Sequence, residues 1–279
     1  MTREGVDETR HGPDFEQSRQ FGEAVEFGAT TTQYNEYRAA YPPELFERLK
    51  ARGVPRPDER VLDLGTGTGF FGAELATDTV DVVGADIDRG MLQQTQDAHA
   101  GESRRACVQA DAVNLPFRSA SFDVVTAAQC WHWFDRDAAA SEAYRVLVPG
   151  GSLSITHFDW LPLPGNVVEA TEALVLEMNP EWPMSGGTGF YEEWPADVYA
   201  AGFEDVETFT FDVEVPYSHQ GWRGRMQASA GVAASLCETD AREFDERLAS
   251  LLEAEFPTEP LRIPHRSFTL LCRKPKETT

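Results

Sequence analysis

Short apolar segments alternate with helix-compatible segments along most of this chain, and this alternation constrains the fold more than any other feature. The apolar segments are rich in Val, Leu and Ile and lie at residues 60–65, 80–86, 106–111, 122–129 and 151–158. Strands that alternate with helices in this way predict an α/β fold, with a parallel sheet covered by helices on both faces. Two later apolar runs, at residues 203–215 and 265–274, supply two more strand candidates. In such a sheet, ligands bind at the carboxyl ends of the strands.

The length of the chain limits its domain organisation. A chain of 279 residues, 41% of them hydrophobic, is expected to bury one large core, so residues 34–279 are predicted to form a single domain. Residues 1–33 are polar and acidic without sustained periodicity, which predicts a loosely ordered arm. Residues 161–204 interrupt the alternation with an aromatic, Pro- and Gly-rich segment. Irregular insertions of this length usually have a function, so we expect a substrate lid there.

The formal net charge of −23 excludes some classes of partner. Lysine occurs only at positions 50, 274 and 276, while carboxylates are spread along the whole chain. Such a surface repels itself in dilute salt, whereas at molar salt the Debye length falls to about 3 Å and screens the repulsion. We therefore expect a halophilic, acidic protein, with an acidic protein from an ordinary cytoplasm as the alternative. Nucleic acid is not expected as a partner, because its affinity for proteins comes mainly from Lys and Arg.

Cysteine spacing and hydropathy bear on cofactors and location. The four cysteines are far apart and form no Cys-x-x-Cys pair, so neither a metal site nor a disulfide framework is expected. No window reaches eighteen consecutive apolar residues and the N-terminus has no apolar signal region, which predicts a cytoplasmic protein without a membrane span. We expect a monomer or a homodimer.

Residues 61–70, VLDLGTGTGF, end an apolar run in glycines at positions 65, 67 and 69. A strand that runs into a glycine turn usually holds a nucleotide. A P-loop is excluded, because it needs Gly-Lys-Ser/Thr where this chain has Gly69 followed by two phenylalanines. A dinucleotide site remains open, since Gly67, Gly69 and Gly72 satisfy G-x-G-x-x-G and Asp86 follows at the end of the next apolar run.

Further motifs follow this turn in a fixed order. They are ADAVNLPF (110–117), SFDVVTAAQCWHWFD (121–135) and EAYRVLVPGGSLSI (142–155), with YNEYRAAYP (34–42) before the turn. Together with DLGTGTG they resemble the class I S-adenosylmethionine-dependent methyltransferases, in particular the group with the ubiquinone/menaquinone-biosynthesis and trans-aconitate enzymes. The resemblance covers roughly residues 34–160. It implies a Rossmann-like seven-stranded sheet, mostly parallel with an antiparallel last strand, and methyl transfer from S-adenosylmethionine to a hydroxyl, carboxylate or carbon of a small molecule.

The resemblance also implies which residues hold the methyl donor. Asp86 would accept hydrogen bonds from the ribose hydroxyls, and Ile87 would lie against the adenine. Asp111 would pair with the adenine amino group beside the Ala112 backbone, although Asp111 could also be an ordinary helix N-cap. The residues expected at the methionine end of the donor are Arg38, Asp63, Gly65, Thr66, Gly67, Gly69 and Gln129.

The aromatic segment CWHWFD after the fourth strand lies where donor and acceptor would meet. His132 is the candidate general base, since the ordinary pKa of histidine is about 6.5. The rings of Trp131 and Trp133 would favour a sulfonium through the ring quadrupole. Tyr37 and Trp222 would complete the acceptor wall. The alternative is that both tryptophans pack under the following helix and that His132 only bonds a loop.

Two other classes of function stay open. An NAD-dependent oxidoreductase is favoured only by the spacing of Gly67, Gly69 and Gly72. A non-catalytic protein that binds S-adenosylmethionine would carry the same donor motifs without transferring a methyl group.

Overall fold

The computed structural model describes residues 37–98, 105–182, 184–229, 232 and 236–276. The expected arm at residues 1–33 lies outside the described residues. Seven strands form one sheet, and they are β1 (Arg60–Leu64), β2 (Asp81–Asp86), β3 (Arg105–Gln109), β4 (Phe122–Ala128), β5 (Leu147–Trp160), β6 (Glu204–Tyr217) and β7 (Leu261–Arg273).

Helices connect these strands. In chain order they are α1 (Pro43–Ala51), α2 (Phe70–Leu75), α3 (Arg89–Ala98), α4 (Arg136–Val146), α5 (Val167–Met178), α6 (Trp194–Ala200), α7 (His219–Gln227) and α8 (Glu238–Glu255), with a single 3₁₀ turn at Trp131–Trp133. Local signals explain several of the ends. Proline stands in the first turn of α1, and the side chains of Asp135, Asn166 and Ser218 cap α4, α5 and α7 by accepting backbone N–H groups.

The strand order across the sheet is β3-β2-β1-β4-β5-β7-β6. β1 to β5 pair in parallel, whereas β7 pairs antiparallel with both β5 and β6. Six strands therefore run one way and only the last strand of the chain, β7, opposes them. This confirms the predicted Rossmann-like sheet. The strand order reverses between β1 and β4, which places the glycine turn after β1 at the switch point where open α/β sheets bind ligands.

Two cores cover the two faces of this sheet. Successive residues of a strand point to opposite faces, so Leu62 and Leu64 join a core with α4 and α6, whereas Val61 joins a core with α1 and α2. A third cluster packs α5, α7 and α8 around Trp222 and the first residues of β7. The sheet thus presents the carboxyl ends of β1 and β4 between helical layers. None of the described helices is long and apolar enough to traverse a lipid bilayer.

Candidate active site

The glycine turn after β1 has a backbone that suits glycine alone. Gly65, Gly67 and Gly69 have φ angles of +57°, +56° and +80°, in the left-handed region that L side chains disfavour. Thr66 N–H donates to the Ala85 carbonyl at 3.1 Å, and Gly69 N–H donates to the Thr66 carbonyl at 2.8 Å. The turn is therefore tied to β2 and folded back on itself before α2 begins.

Asp63 organises this turn from inside the protein. Its carboxylate accepts from Thr66 Oγ1 at 2.7 Å and from Thr126 Oγ1 at 2.6 Å, and the Gly72 backbone N–H adds a third donor. The side chain is 1% exposed. Burial raises the pKa of Asp63 to about 6 in spite of these donors. The Asp63 carboxylate and the Thr66 hydroxyl are hydrogen-bonded to each other beneath the turn, and the place of both residues at the methionine end of the donor stays a prediction.

The first two glycines of the turn, Gly65 and Gly67, have different surroundings. A Cβ on Gly65 would lie 2.6 Å from Cys130 Cβ and 2.9 Å from Cys130 Sγ, so this position is closed by the segment after β4. A Cβ on Gly67 would meet no atom of the described residues within 4 Å. The backbone of Gly67 is nevertheless fixed, since its N–H donates to Asp86 Oδ2 at 2.7 Å and its carbonyl accepts from Thr95 Oγ1 at 2.8 Å. Gly67 is a rigid, open surface that a ligand can approach closely.

Asp86 and Ile87 lie beside this open surface, at the end of β2. The carboxylate of Asp86 accepts from the N–H groups of Gly67, Ile87 and Asp88, and since a carboxylate has about four lone-pair sites it can accept a further donor. Burial raises the pKa of Asp86. Ile87 is 42% exposed, and Phe70 at the start of α2 is 51% exposed. One large exposed apolar side chain thus follows the Asp86 carboxylate directly, and another follows the glycine turn.

Asp111 and Ala112 follow β3, the neighbour of β2. Asp111 Oδ1 accepts from the Val113 N–H at 3.1 Å, so one oxygen closes a local turn. The Ala110 N–H donates to the Asp86 carbonyl at 2.9 Å, which fixes this turn next to the end of β2. Ala112 is buried in the core. Asp111 and Asp86 are therefore brought to the same edge of the sheet, as the sequence motifs indicated.

Gln129 has a different role from the one expected of its side chain. Its amide makes two hydrogen bonds to the backbone of Phe158, donating to the carbonyl at 2.9 Å and accepting the N–H at 2.8 Å. Its φ is +59°. The side chain thus continues the pairing of β4 with β5, and only the Gln129 backbone is left to line a cleft.

Arg38 and Tyr37 precede α1. Arg38 Nη2 donates to the Tyr41 hydroxyl at 2.9 Å. Burial raises the pKa of the Cys130 thiol, and the positive charge of Arg38 opposes this effect. Arg38 is thus close to the segment that closes the glycine turn. Tyr37 contacts a different part of the chain: its ring packs against Gly224 of α7, and its carbonyl accepts from the Tyr217 hydroxyl.

The tryptophans divide into buried and partly accessible rings. Trp131 is 0% exposed and its Nε1 lies 3.4 Å from Asp197 Oδ2 in α6. Trp222 is also 0% exposed and donates to Thr171 Oγ1 at 3.0 Å. The expectation that these two rings wall the acceptor is corrected, because both fill cores. Trp133 remains half-buried, with its ring centroid 4.8 Å from that of His132.

His132 belongs to a hydrogen-bonded network that the sequence did not indicate. Its Nδ1 lies 3.0 Å from His157 Nε2, and His157 Nδ1 lies 2.7 Å from Asp159 Oδ2. The Tyr191 hydroxyl donates to the same Asp159 oxygen. Three separate parts of the chain meet here, namely the 3₁₀ turn after β4, the end of β5, and the segment between α5 and α6. The only sequence signal was two ionisable residues, His157 and Asp159, in the strand segment SITHFDW.

Burial and mutual charge set the protonation of this network. Burial, and to a smaller extent the charges of His157 and Arg136, lower the pKa of His132 to about 3, while Asp159 opposes the change. Burial pushes the pKa of Asp159 upward, but His157 and the Tyr191 hydroxyl outweigh it and hold the value at about 2. Burial and Asp159 raise the pKa of Tyr191. At neutral pH, His132 is therefore a neutral base and Asp159 a carboxylate. Within the described part of the chain, no group of three His, Cys, Asp or Glu side chains could hold a metal ion.

Comparison with known proteins finds methyltransferases that are similar to part of this chain. Residues 62–155 match the family model described as "Methyltransferase domain". An uncharacterized methyltransferase of Mycobacterium tuberculosis is 36% identical over 132 residues, which cover 47% of this chain and 51% of the relative. A demethylmenaquinone methyltransferase of Clavibacter sepedonicus is 35% identical over 149 residues, 49% of this chain and 61% of the relative. This chain thus spans about half the length of the curated relatives it matches.

Solved structures share the fold. A phosphoethanolamine N-methyltransferase 2 of Haemonchus contortus, in complex with phosphomonomethylethanolamine and S-adenosylhomocysteine, has a TM-score of 0.54 and 20% identity. The match covers 90% of this chain and 61% of that one. The [4+2]-cyclase SpnF has a TM-score of 0.53 at 22% identity, covering 87% and 86% of the two chains. At this level of identity the likeness concerns the fold alone, and it includes proteins named for different reactions.

Proposed function

We propose that this protein transfers a methyl group from S-adenosylmethionine to a small-molecule acceptor, because residues 62–155 match the family model described as "Methyltransferase domain". The observation that carries the proposal is Gly67, a rigid left-handed glycine with open space at its Cα, set between Asp86 and the turn built by Asp63. This surface lies at the switch point of the sheet, where a ligand is expected.

The residues present fit S-adenosylmethionine. The backbone from Gly65 to Gly69 would hold the amino-acid end, with Arg38 near its carboxylate and the Gln129 backbone on the opposite side. Asp86 would accept the ribose hydroxyls, while Ile87 and Asp111 would meet the adenine. When bound, the donor supplies a methyl group on a positively charged sulfur. This ligand carries no phosphate, whereas a dinucleotide would place a pyrophosphate against the carboxylate-lined turn.

The protein would contribute mainly alignment and exclusion of water. Proximity and orientation can supply about 7 to 11 kcal/mol of a barrier without a metal or a covalent intermediate. His132, a neutral base at pH 7, would take up a proton where the acceptor has one to lose. Trp133 beside it would present an aromatic face to the positive sulfur.

We also propose that residues 161–204 form the acceptor lid of one domain spanning residues 34–279. Glu172 of α5 is 4% exposed and accepts from Trp160 Nε1 at 2.9 Å and from the Gly186 N–H at 2.8 Å. Tyr191 stacks on Trp194 at 3.9 Å, and Trp194 is fully buried. The segment is thus anchored at both ends, with Tyr191 directed to His157. A small-molecule acceptor is supported by relatives named for menaquinone synthesis and for malonyl-acyl carrier protein O-methylation.

Calorimetry with S-adenosylhomocysteine and with NAD tests the donor site. We expect binding of the first and none of the second, and the reverse result would favour an NAD-dependent oxidoreductase. Incubation with methyl-labelled donor and a small-molecule extract then tests transfer. Tight donor binding without any labelled product would favour a non-catalytic binding protein.

A further inference from the structure

The four-residue network of His132, His157, Asp159 and Tyr191 has a connectivity that fixes proton positions. A carboxylate only accepts hydrogen bonds, so His157 Nδ1, at 2.7 Å from Asp159 Oδ2, carries a proton. The Tyr191 oxygen also lies 2.5 Å from this Nδ1 and, because its own proton goes to Asp159, it can only accept there. In neutral His157 the other nitrogen is then an acceptor, and His132 Nδ1 donates to it across 3.0 Å. Neutral His132 is therefore held as the tautomer with a lone pair on Nε2. Among the described residues, Nε2 has no hydrogen-bond partner, and the ring is only half-buried.

We propose that these four residues form a proton-accepting relay, and that the acceptor is a hydroxyl or acidic carbon that loses a proton as it is methylated. This inference rests on the proposed methyltransferase function. His132 is the catalytic base, whereas His157, Asp159 and Tyr191 are positioning residues that act through it.

The step balances in atoms and charge. The acceptor oxygen or carbon forms a bond to the methyl carbon, the electron pair of the sulfur–methyl bond stays on sulfur, and the acceptor proton goes to His132 Nε2. The Nδ1 proton of His132 then passes to His157 Nε2. His157 ends as an imidazolium beside the Asp159 carboxylate. The single positive charge of the sulfonium has thus been replaced by a single positive charge paired with Asp159.

The charges around the two rings favour this final position of the proton. Asp159 lies against His157 and is held ionised by it and by Tyr191. Arg136 of α4 lies on the other side and disfavours a positive charge on His132. Glu193, next to the segment that carries Tyr191, helps to keep that hydroxyl protonated as a donor to Asp159. A proton delivered to His132 is therefore driven toward His157.

The acceptor class follows from this relay. A carboxylate or a neutral amine can attack a methyl group without a base. Two hydrogen-bonded histidines beside a carboxylate therefore serve no purpose for those acceptors. A hydroxyl or a carbon acid must lose a proton during or before the transfer. The geometry therefore favours an alcohol, a phenol or an activated carbon.

Imidazole NMR of the ¹⁵N-histidine-labelled full chain tests the relay without any substrate. His132→Asn and His157→Asn assign the two rings. In the wild type at about pH 8, we expect His132 to carry its proton on Nδ1 and His157 on Nδ1. We also expect the first proton added on acidification to make His157, not His132, the imidazolium. A proton on His132 Nε2 at that pH, or independent titration of the two rings, would overturn the relay.

Asp159→Asn should keep the hydrogen-bond geometry and remove the charge. An adjacent opposite charge shifts a pKa by roughly 1 to 3 units, so the protonation midpoint of the pair should fall by at least about one unit. Glu172→Gln is the matched control, since Glu172 also bonds the 161–204 segment but touches neither ring; it should leave the midpoint unchanged. Tyr191→Phe provides a second, milder variant, and it should move the midpoint upward because Asp159 loses a donor that holds it ionised. Unchanged midpoints in both relay variants would refute the proposal.

The chemistry of the product separates this inference from the proposed function. Failure of the wild type to bind S-adenosylhomocysteine would refute the proposed function whatever the NMR result. If the wild type binds it, labelled products from a small-molecule extract should be ethers or carbon-methylated compounds, and His132→Asn should bind S-adenosylhomocysteine normally while losing product formation. A methyl ester or a methylated amine as the only product would overturn the acceptor class alone.

Discussion

The two central glycines of the turn allow a sharp test of how the site is built. Alanine at either position must adopt a left-handed backbone, since the φ angles of Gly65 and Gly67 are +57° and +56°. That conformation costs roughly 1–2 kcal/mol for a residue with a Cβ. The surroundings differ, however. The new methyl group of Gly65→Ala would lie 2.6 Å from Cys130 Cβ, whereas that of Gly67→Ala would meet no protein atom within 4 Å.

The two substitutions should therefore separate stability from binding. Gly67→Ala should cost only the backbone strain, about 1–2 kcal/mol, which corresponds to a fall in Tm of about 4 °C in a chain of this size. Gly65→Ala adds an overlap with Cys130, whose thiol is itself fixed by a bond to the Leu64 carbonyl at 3.1 Å. Overpacking adds roughly 1–3 kcal/mol, so Tm should fall by about 10 °C.

Binding should follow the opposite order. The Gly67→Ala methyl group occupies the surface where the donor would lie, and an overlap of about 1–3 kcal/mol weakens binding roughly ten- to a hundredfold. Calorimetry with S-adenosylhomocysteine measures this loss, and thermal unfolding followed by circular dichroism measures stability. Gly165→Ala is the matched control, because Gly165 has a φ of +78° and also has no atom within 4 Å of its Cβ position, but it lies in the connection between β5 and α5.

Two results would refute this reasoning. Wild-type affinity in Gly67→Ala would mean that the donor does not lie against the turn. A loss of stability in Gly67→Ala far beyond that of Gly165→Ala would mean that the space beside Gly67 is not open.

Three further predictions concern stability. Asp63 has a folded-state pKa of about 6 against 3.8 ordinarily, so its ionisation opposes folding and wild-type stability should fall as the pH rises from about 4 to 6. Asp63→Asn should lack this loss, so between these pH values its free energy of unfolding should rise by roughly 3 kcal/mol relative to that of the wild type. Urea unfolding measures this difference, and parallel curves of stability against pH for the two proteins would contradict the prediction. Because the net charge is −23, raising KCl from about 0.1 M to about 2 M should increase Tm, and a constant or lower Tm would argue against halophilic adaptation. Glu172→Ala leaves Trp160 Nε1 and the Gly186 N–H unpaired, so it should lower the free energy of unfolding by about 2–4 kcal/mol and speed proteolysis near Gly186. Unchanged resistance to the protease would contradict this prediction.

Much of the fold could be predicted from local pattern. The five early strands were each placed within a few residues, and α5 was recognisable from the run at Val167–Met178. Helices α6 and α7 were not predicted. α6 has only seven residues and α7 contains two glycines, so neither offers a long apolar stripe. Their burial depends on Trp194 and Trp222, which pack against distant parts of the chain.

The glycine turn was predictable to a similar extent, because its main features are backbone features. A strand followed by alternating glycines specifies a left-handed turn wherever it occurs, and the acid at the end of the next strand falls beside it by sheet topology. Asp63 and Gln129 were placed correctly along the chain, but their side chains serve the protein interior. Sequence order does not reveal which way a polar side chain at a strand end turns.

By itself, the sequence predicted the seven-stranded sheet and the glycine turn at its switch point, and its residues 62–155 match a methyltransferase family model. Periodicity and turn chemistry encode these features locally. Only the tertiary structure decided which aromatic rings fill cores and that His132 meets His157, Asp159 and Tyr191. These residues come from three segments whose approach depends on the crossover after β4, the register of β5 and the packing of α6. Contacts of that kind are set by the global arrangement of the chain, which no local pattern specifies.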